Sequence, residues 1–180
     1  TDGGTTDTEL CRFLGSPFLG TTGMVRLQFV KTWAGESKSN PKVASCDLWI
    51  HHGAGGGSTA GAPLNSLQKV AGSFHADIYL MGHQSKLGVT KITYLELTGG
   101  GRRGTLKLRN KTKTLVATGS FLEGYCVGST AGRTGRPRGS YVEQRMLTPT
   151  TLGAPLVTIT PRQAQTTDGT HTPSYAYMDV

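Results

Sequence analysis

No run of some eighteen apolar residues occurs in this chain, which rules out a membrane-spanning helix. No signal peptide with a charged start and a short apolar core is visible either, so a cytoplasmic location is expected. The three cysteines, Cys11, Cys46 and Cys126, are odd in number and form no CxxC pair. That argues against a structural zinc and reads as free thiols in a reducing compartment. Hydrophobic residues are scarce at 36%, and acid is short of base, with 11 Asp and Glu against 19 Lys and Arg. The resulting net charge of +8 points toward polyanions such as nucleic acid. An initiating methionine is also lacking, and Thr1 reads as the start of a processed product or of a piece of something longer.

Glycine is abundant, at 26 of 180 residues, where an average chain has roughly 7%. With so few apolar residues, this composition suggests a glycine-turned, loop-rich, mostly β protein rather than a helical bundle. Residues 1–162 read as one domain and 163–180 as a polar tail that Tyr175 and Tyr177 could anchor. Residues 1–10 look like a loop or frayed end. Strands are expected at 24–30 (MVRLQFV) and 46–50 (CDLWI), separated by a surface turn at 34–42. A glycine loop, 51–57 (HHGAGGG), leaves the second strand. Leu64, Leu67, Val70, Ala71 and Phe74 then share one face of a helix over 64–74. An apolar strand at 76–81 ends in Gly82-His83-Gln84-Ser85.

Strand, loop, helix and strand in this order make a βαβ unit with two neighbouring parallel strands. Their C-terminal ends lie at one edge of the sheet, so His52 and His83 are expected to meet across thirty-one positions of sequence. Beyond Ser85 the pattern becomes antiparallel, with strands at 91–98, 105–109 and 114–120. A glycine loop at 99–104 and a tight turn at 110–113 (NKTK) connect them. Two further strands are expected near 141–146 and 156–160, with a basic glycine-rich loop at 128–139 between the last antiparallel strand and the first of these.

Two imidazoles flanked by glycine suit a divalent cation such as manganese, zinc, iron or nickel, because neutral imidazole is a good ligand and glycine lets an ion or substrate approach the backbone. The alternative is two strand-end histidines with no shared task. A separation beyond about 8 Å would favour it, since ligand bonds are near 2 Å.

The string HHGAGGG followed by ADIYLMGHQSK resembles the last two signature motifs of calcineurin-like metallophosphoesterases, a His-Gly after one strand and a Gly-His-x-His after the next. The segment TGSFLEGY (118–125) is similar to the stretch beyond these motifs in phage and bacterial members, and the likeness spans roughly residues 45–160. It implies an α/β fold, the C-terminal part of a two-sheet sandwich with a two-metal site at one edge, and hydrolysis of a phosphomonoester or phosphodiester. On this resemblance His52 and His83 are the catalytic metal ligands and Gly53 and Gly55 lie beside the substrate, while His51 lies beside it too, stands behind the ligands, or faces away. Ser85 stands where the family has its last histidine. The family's earlier motifs, Asp-x-His, Gly-Asp-x-x-Asp and Gly-Asn-His-Asp/Glu, do not occur before His51. The site is therefore expected to be completed by an N-terminal half or another protein chain. The competing expectation is a non-catalytic nucleic-acid-binding or assembly subunit that has kept the fold and lost the metal site.

Basic residues gather in two places. Arg102, Arg103, Lys107, Arg109, Lys111 and Lys113 crowd a hairpin, and Arg133, Arg136 and Arg138 crowd a loop. Alternate positions from Lys107 to Lys113 would face one side of a strand. That arrangement makes either a phosphate-tracking stripe, suited to a nuclease, or a solvated edge kept soluble by charge. No aromatics are interleaved for base stacking. The glycine runs are not a P-loop, because no Gly-Lys-Ser/Thr comes after them.

Overall fold

Three parallel strands form the middle of a five-stranded mixed sheet, and an antiparallel strand flanks them on each side. The computed structural model describes residues 6–31, 42–55, 57, 59–99, 105–125, 141–163 and 173–179. The sheet contains β1 (Thr22–Lys31), β2 (Lys42–His51), β3 (Ile78–Met81), β4 (Leu87–Thr98) and β5 (Lys107–Thr118), in the order β1-β2-β3-β5-β4. Strands β2, β3 and β5 are parallel, whereas β1 pairs antiparallel with β2 and β4 with β5. Helix α2 (Ala62–Ala71) makes the crossover from β2 to β3, so the βαβ unit is present. The chain is thus α/β with few helices, none long and apolar enough to cross a membrane among the described residues.

Alternation along the strands sends side chains to two faces. On one face Trp49, Tyr79, Met81 and Leu115 pack against Leu67 and Ala71 of α2, with Leu64 and Val70 at the margin. The helix begins with a proline in its first turn, where a missing N–H costs nothing. On the other face Cys46, Ile78 and Val116 meet Leu27, Phe29, Leu48, Val157 and Ile159. Ile159 belongs to β6 (Thr158–Gln163), which pairs with β7 (Pro173–Asp179) as a separate two-stranded sheet. Because β3 is covered on both sides, it reads as an unbroken apolar run rather than an alternating one. Tyr79 fits there because its hydroxyl donates to the Phe74 carbonyl at 2.6 Å and accepts the Ala76 N–H at 3.0 Å.

Four expectations drawn from the sequence are corrected. Residues 110–113 do not turn: Asn110, Lys111, Thr112 and Lys113 pair with Leu95, Tyr94, Thr93 and Ile92 inside β5. Alternating Thr and Lys suit a strand with one solvated face, and ladder pairing outweighs the local turn preference of Asn. The strand expected near 141–146 is instead a short helix, α3 (Tyr141–Gln144), whose Val142 is buried. The N-terminal stretch holds α1 (Thr6–Phe13), with Asp7 and Glu9 in its first turn and Arg12 in its last, the polarity that suits the helix dipole. The segment read as a polar tail contributes β7. The turn at 34–41, most of the loop at 99–104, the loop at 128–139 and Cys126 lie outside the described residues.

Candidate functional site

The parallel register aligns His51 of β2 with Met81 of β3, so both strands deliver their next residues to one edge. The Gly82 N–H donates to the His51 carbonyl at 3.0 Å, and the His52 N–H donates to the Thr21 carbonyl at 2.8 Å. These bonds carry the ladder one step past the strand ends and fix both loops as they leave the sheet. His52 Nε2 then lies 2.9 Å from His83 Nδ1, with the rings edge to face and their centroids 4.9 Å apart. Both side chains are exposed, so the pair is open to solvent and solutes. The expected meeting of the two histidines occurs well inside the 8 Å limit.

Local backbone geometry makes this approach possible. Gly53 has φ +91° and a Cβ there would strike the Gly82 carbonyl oxygen. Gly55 has φ +67°, and its Cβ would come within 2.7 Å of Cδ2 and 3.0 Å of Nε2 of His83. His83 itself has φ +50°, a left-handed conformation uncommon outside glycine. Such residues persist only where surrounding structure holds them, and they gather at functional sites. The two glycines thus act first by clearing space for the histidine pair.

His51 takes a different position from its neighbour. Its ring stacks on Trp49, centroids 5.3 Å apart and 13° from parallel, and its Nδ1 accepts the Gly53 N–H at 2.6 Å. Lys86, three residues beyond His83, donates from Nζ to the Gly57 carbonyl at 3.3 Å and links the two loops across the site. The Lys86 bridge is not visible in the sequence, since it depends on tertiary contact, whereas strand alternation already puts Trp49 and His51 on one face of β2. The requirement for Gly82, which has the His52 carbonyl 3.0 Å from where its Cβ would stand, is signalled only by its place beside His83.

The two imidazoles fit part of a metal ligand set. Nitrogens bound to one zinc at about 2.0–2.1 Å in tetrahedral geometry are roughly 3.3 Å apart, so a small rotation of either ring from the observed 2.9 Å suffices. No group of three His, Cys, Asp or Glu that could hold a metal occurs among the described residues. A two-metal centre does not fit these residues without further ligands. Two carboxylates at the start of the parallel pairing of β2 with β3 are already engaged: Asp47 receives Arg26 Nε at 2.6 Å and Nη2 at 2.7 Å, and Asp77, just before β3, accepts the Asp47 N–H through Oδ2 at 2.9 Å. Arg26 accordingly holds the Asp47 carboxyl below its ordinary range, chiefly through those hydrogen bonds.

The basic hairpin is partly self-occupied. Lys107, Arg109, Lys111 and Lys113 do share a face of β5, opposite Thr98, Glu96, Tyr94 and Ile92. Lys111 Nζ lies 3.2 Å from Glu96, and Lys113 donates to the Ala71 and Phe74 carbonyls at the end of α2 while lying over the rings of Tyr79 and Tyr94. Lys111 and Lys113 are therefore committed within the fold. Arg102 and Arg103 lie outside the described residues.

No protein-family model, no curated protein and no solved structure matches the chain.

Proposed function

We propose that this chain supplies the paired-imidazole half of a metal-dependent phosphoesterase site, within the C-terminal part of a calcineurin-like sandwich. The observation that supports this reading is the 2.9 Å approach of His52 to His83 at the ends of adjacent parallel strands. Gly53, Gly55 and Gly82 keep the loops free of side chains that would block that approach. His52 Nε2 and His83 Nδ1 would hold a divalent cation, with Mn, Zn, Fe and Ni all compatible with imidazole. Such a cation supplies Lewis-acid polarisation of the phosphoryl oxygens of a phosphodiester or phosphomonoester. The carboxylates for a second cation come from an N-terminal half or another chain, and Ser85 contributes no imidazole. The excess of base favours a polyanionic substrate, which makes a nuclease the leading example.

Ser85 and the lack of a third ligand among the described residues favour a second reading, a nucleic-acid-binding or assembly subunit that has lost the catalytic site. One experiment separates the two. Mn²⁺ and Zn²⁺ binding is titrated on the wild type and on His52→Ala and His83→Ala, beside hydrolysis of bis(p-nitrophenyl) phosphate. The phosphoesterase reading expects one bound cation that either substitution abolishes. Binding unaffected by both substitutions, or no binding at all, would leave the non-catalytic reading.

A further inference from the structure

We infer that His51 is a positioning residue, whose Nδ1 sets the backbone of residues 51–53 in the conformation that lets His52 reach His83. Three observations carry this. The Gly53 N–H donates to His51 Nδ1 at 2.6 Å, closing a local ring between a side chain and the backbone two residues on. Gly53 is buried, so this N–H has little access to water, and an unmatched buried donor is costly. The imidazole that accepts it is clamped by stacking on Trp49, itself only 3% exposed in the core. The acceptor is thus anchored to the sheet, and the sheet orients the loop.

The same bond assigns the His51 tautomer. A nitrogen that accepts an N–H carries no proton, so neutral His51 bears its proton on Nε2. Its geometry is that of an Asx-turn, in which an Asn or Asp side-chain oxygen accepts the N–H two residues on. His51 Nδ1 occupies the position of an Asn Oδ1. A phenylalanine would keep the stack and lose the acceptor, whereas a glutamine would carry its acceptor one bond too far out.

The role stands whether or not the histidine pair holds a cation, and the test keeps the two questions apart. Two-bond ¹⁵N–¹H correlation spectra of the metal-free protein read the His51 tautomer, and ring-proton contacts read the His52–His83 approach. The unsubstituted protein is expected to show His51 as the Nε2–H form. The His52–His83 contact is expected to persist in His51→Asn and to vanish in His51→Phe and His51→Gln. Where Zn²⁺ binds, its affinity should fall about 10–100-fold in His51→Phe and recover in His51→Asn, as for other groups that orient a ligand from behind. An Nδ1–H tautomer in the unsubstituted protein, which needs no variant to fold, would overturn the inference. So would a His52–His83 contact that survives in His51→Phe. Absence of Zn²⁺ binding with the spectra as expected would count against the phosphoesterase reading alone.

Discussion

Gly53→Ala and Gly55→Ala differ by one methyl group two residues apart, yet the structure assigns them different failures. At Gly53 the new Cβ meets the Gly82 carbonyl oxygen and lies 3.0 Å from its carbon, so backbone must move on both loops. The left-handed φ of +91° adds strain of about 1–3 kcal/mol. Together these give a loss of about 3 kcal/mol, which lowers the melting temperature by about 6–12 °C in a chain of this size. At Gly55 the Cβ meets an exposed imidazole that can rotate away, so stability falls by only about 1–2 kcal/mol, the cost of φ. Rotation of His83, however, breaks its contact with His52. Gly72→Ala is the control: its φ of −74° is helical and its Cβ meets only the Lys69 carbonyl at 3.4 Å. That change should leave stability unaltered or raise it by up to about 1 kcal/mol. Thermal unfolding followed by circular dichroism measures the first effect, and ring-proton contacts of His52 and His83 measure the second. If Gly53→Ala melts with the wild type, or Gly55→Ala is the less stable of the two, the close approach of the loops is wrong.

Other substitutions probe the frame beneath the site. Tyr79→Phe removes the hydroxyl that accepts the buried Ala76 N–H, and urea unfolding should show a loss of about 1–3 kcal/mol. For Asp47 the folded carboxyl titrates below its unfolded range because Arg26 donates to it, so its contribution is present above about pH 4 and is lost as pH falls through the folded value. Unfolding midpoints between pH 3 and 6 should therefore fall more steeply in the wild type than in Asp47→Asn, and parallel curves would contradict the pairing. Burial pushes the Cys46 thiol up to about 11 and leaves it 1% exposed, whereas Cys11 is half-buried. Iodoacetamide at pH 8 should label Cys11 and spare Cys46 until the protein is unfolded, as peptide mass spectrometry would reveal.

The βαβ unit was legible because its signals are redundant. IYLM is apolar throughout, as a strand covered on both faces must be, and Leu64, Leu67 and Ala71 recur at helical spacing. Parallel strands with a helical crossover bring their C-terminal ends to one edge, which is why His52 and His83 could be paired without coordinates. Residues 110–113 misled because Asn-Lys-Thr-Lys carries turn residues, and only its partners on β4 reveal a strand. Tyr141–Gln144 misled for a related reason: its β-prone Tyr and Val are overridden once Val142 is buried. The role of His51 was open in the sequence: alternation along β2 puts it on the face of Trp49, but only the folded path of the glycine loop brings the Gly53 N–H to its Nδ1.

The shortest strand of the five-stranded sheet has the widest consequence for folding. β3 has four residues, and both of its partners are remote, with Ile78 aligned to Leu48 thirty residues before it and to Thr114 thirty-six residues after it. No hairpin can nucleate such a strand, so its order depends on closing two long loops at once. An opening that detaches β5 also frees one side of β3, and with it the loop that carries His83. The histidine pair therefore has no independent local stability, and amide exchange at Gly82 should approach the rate of global unfolding rather than that of a surface loop.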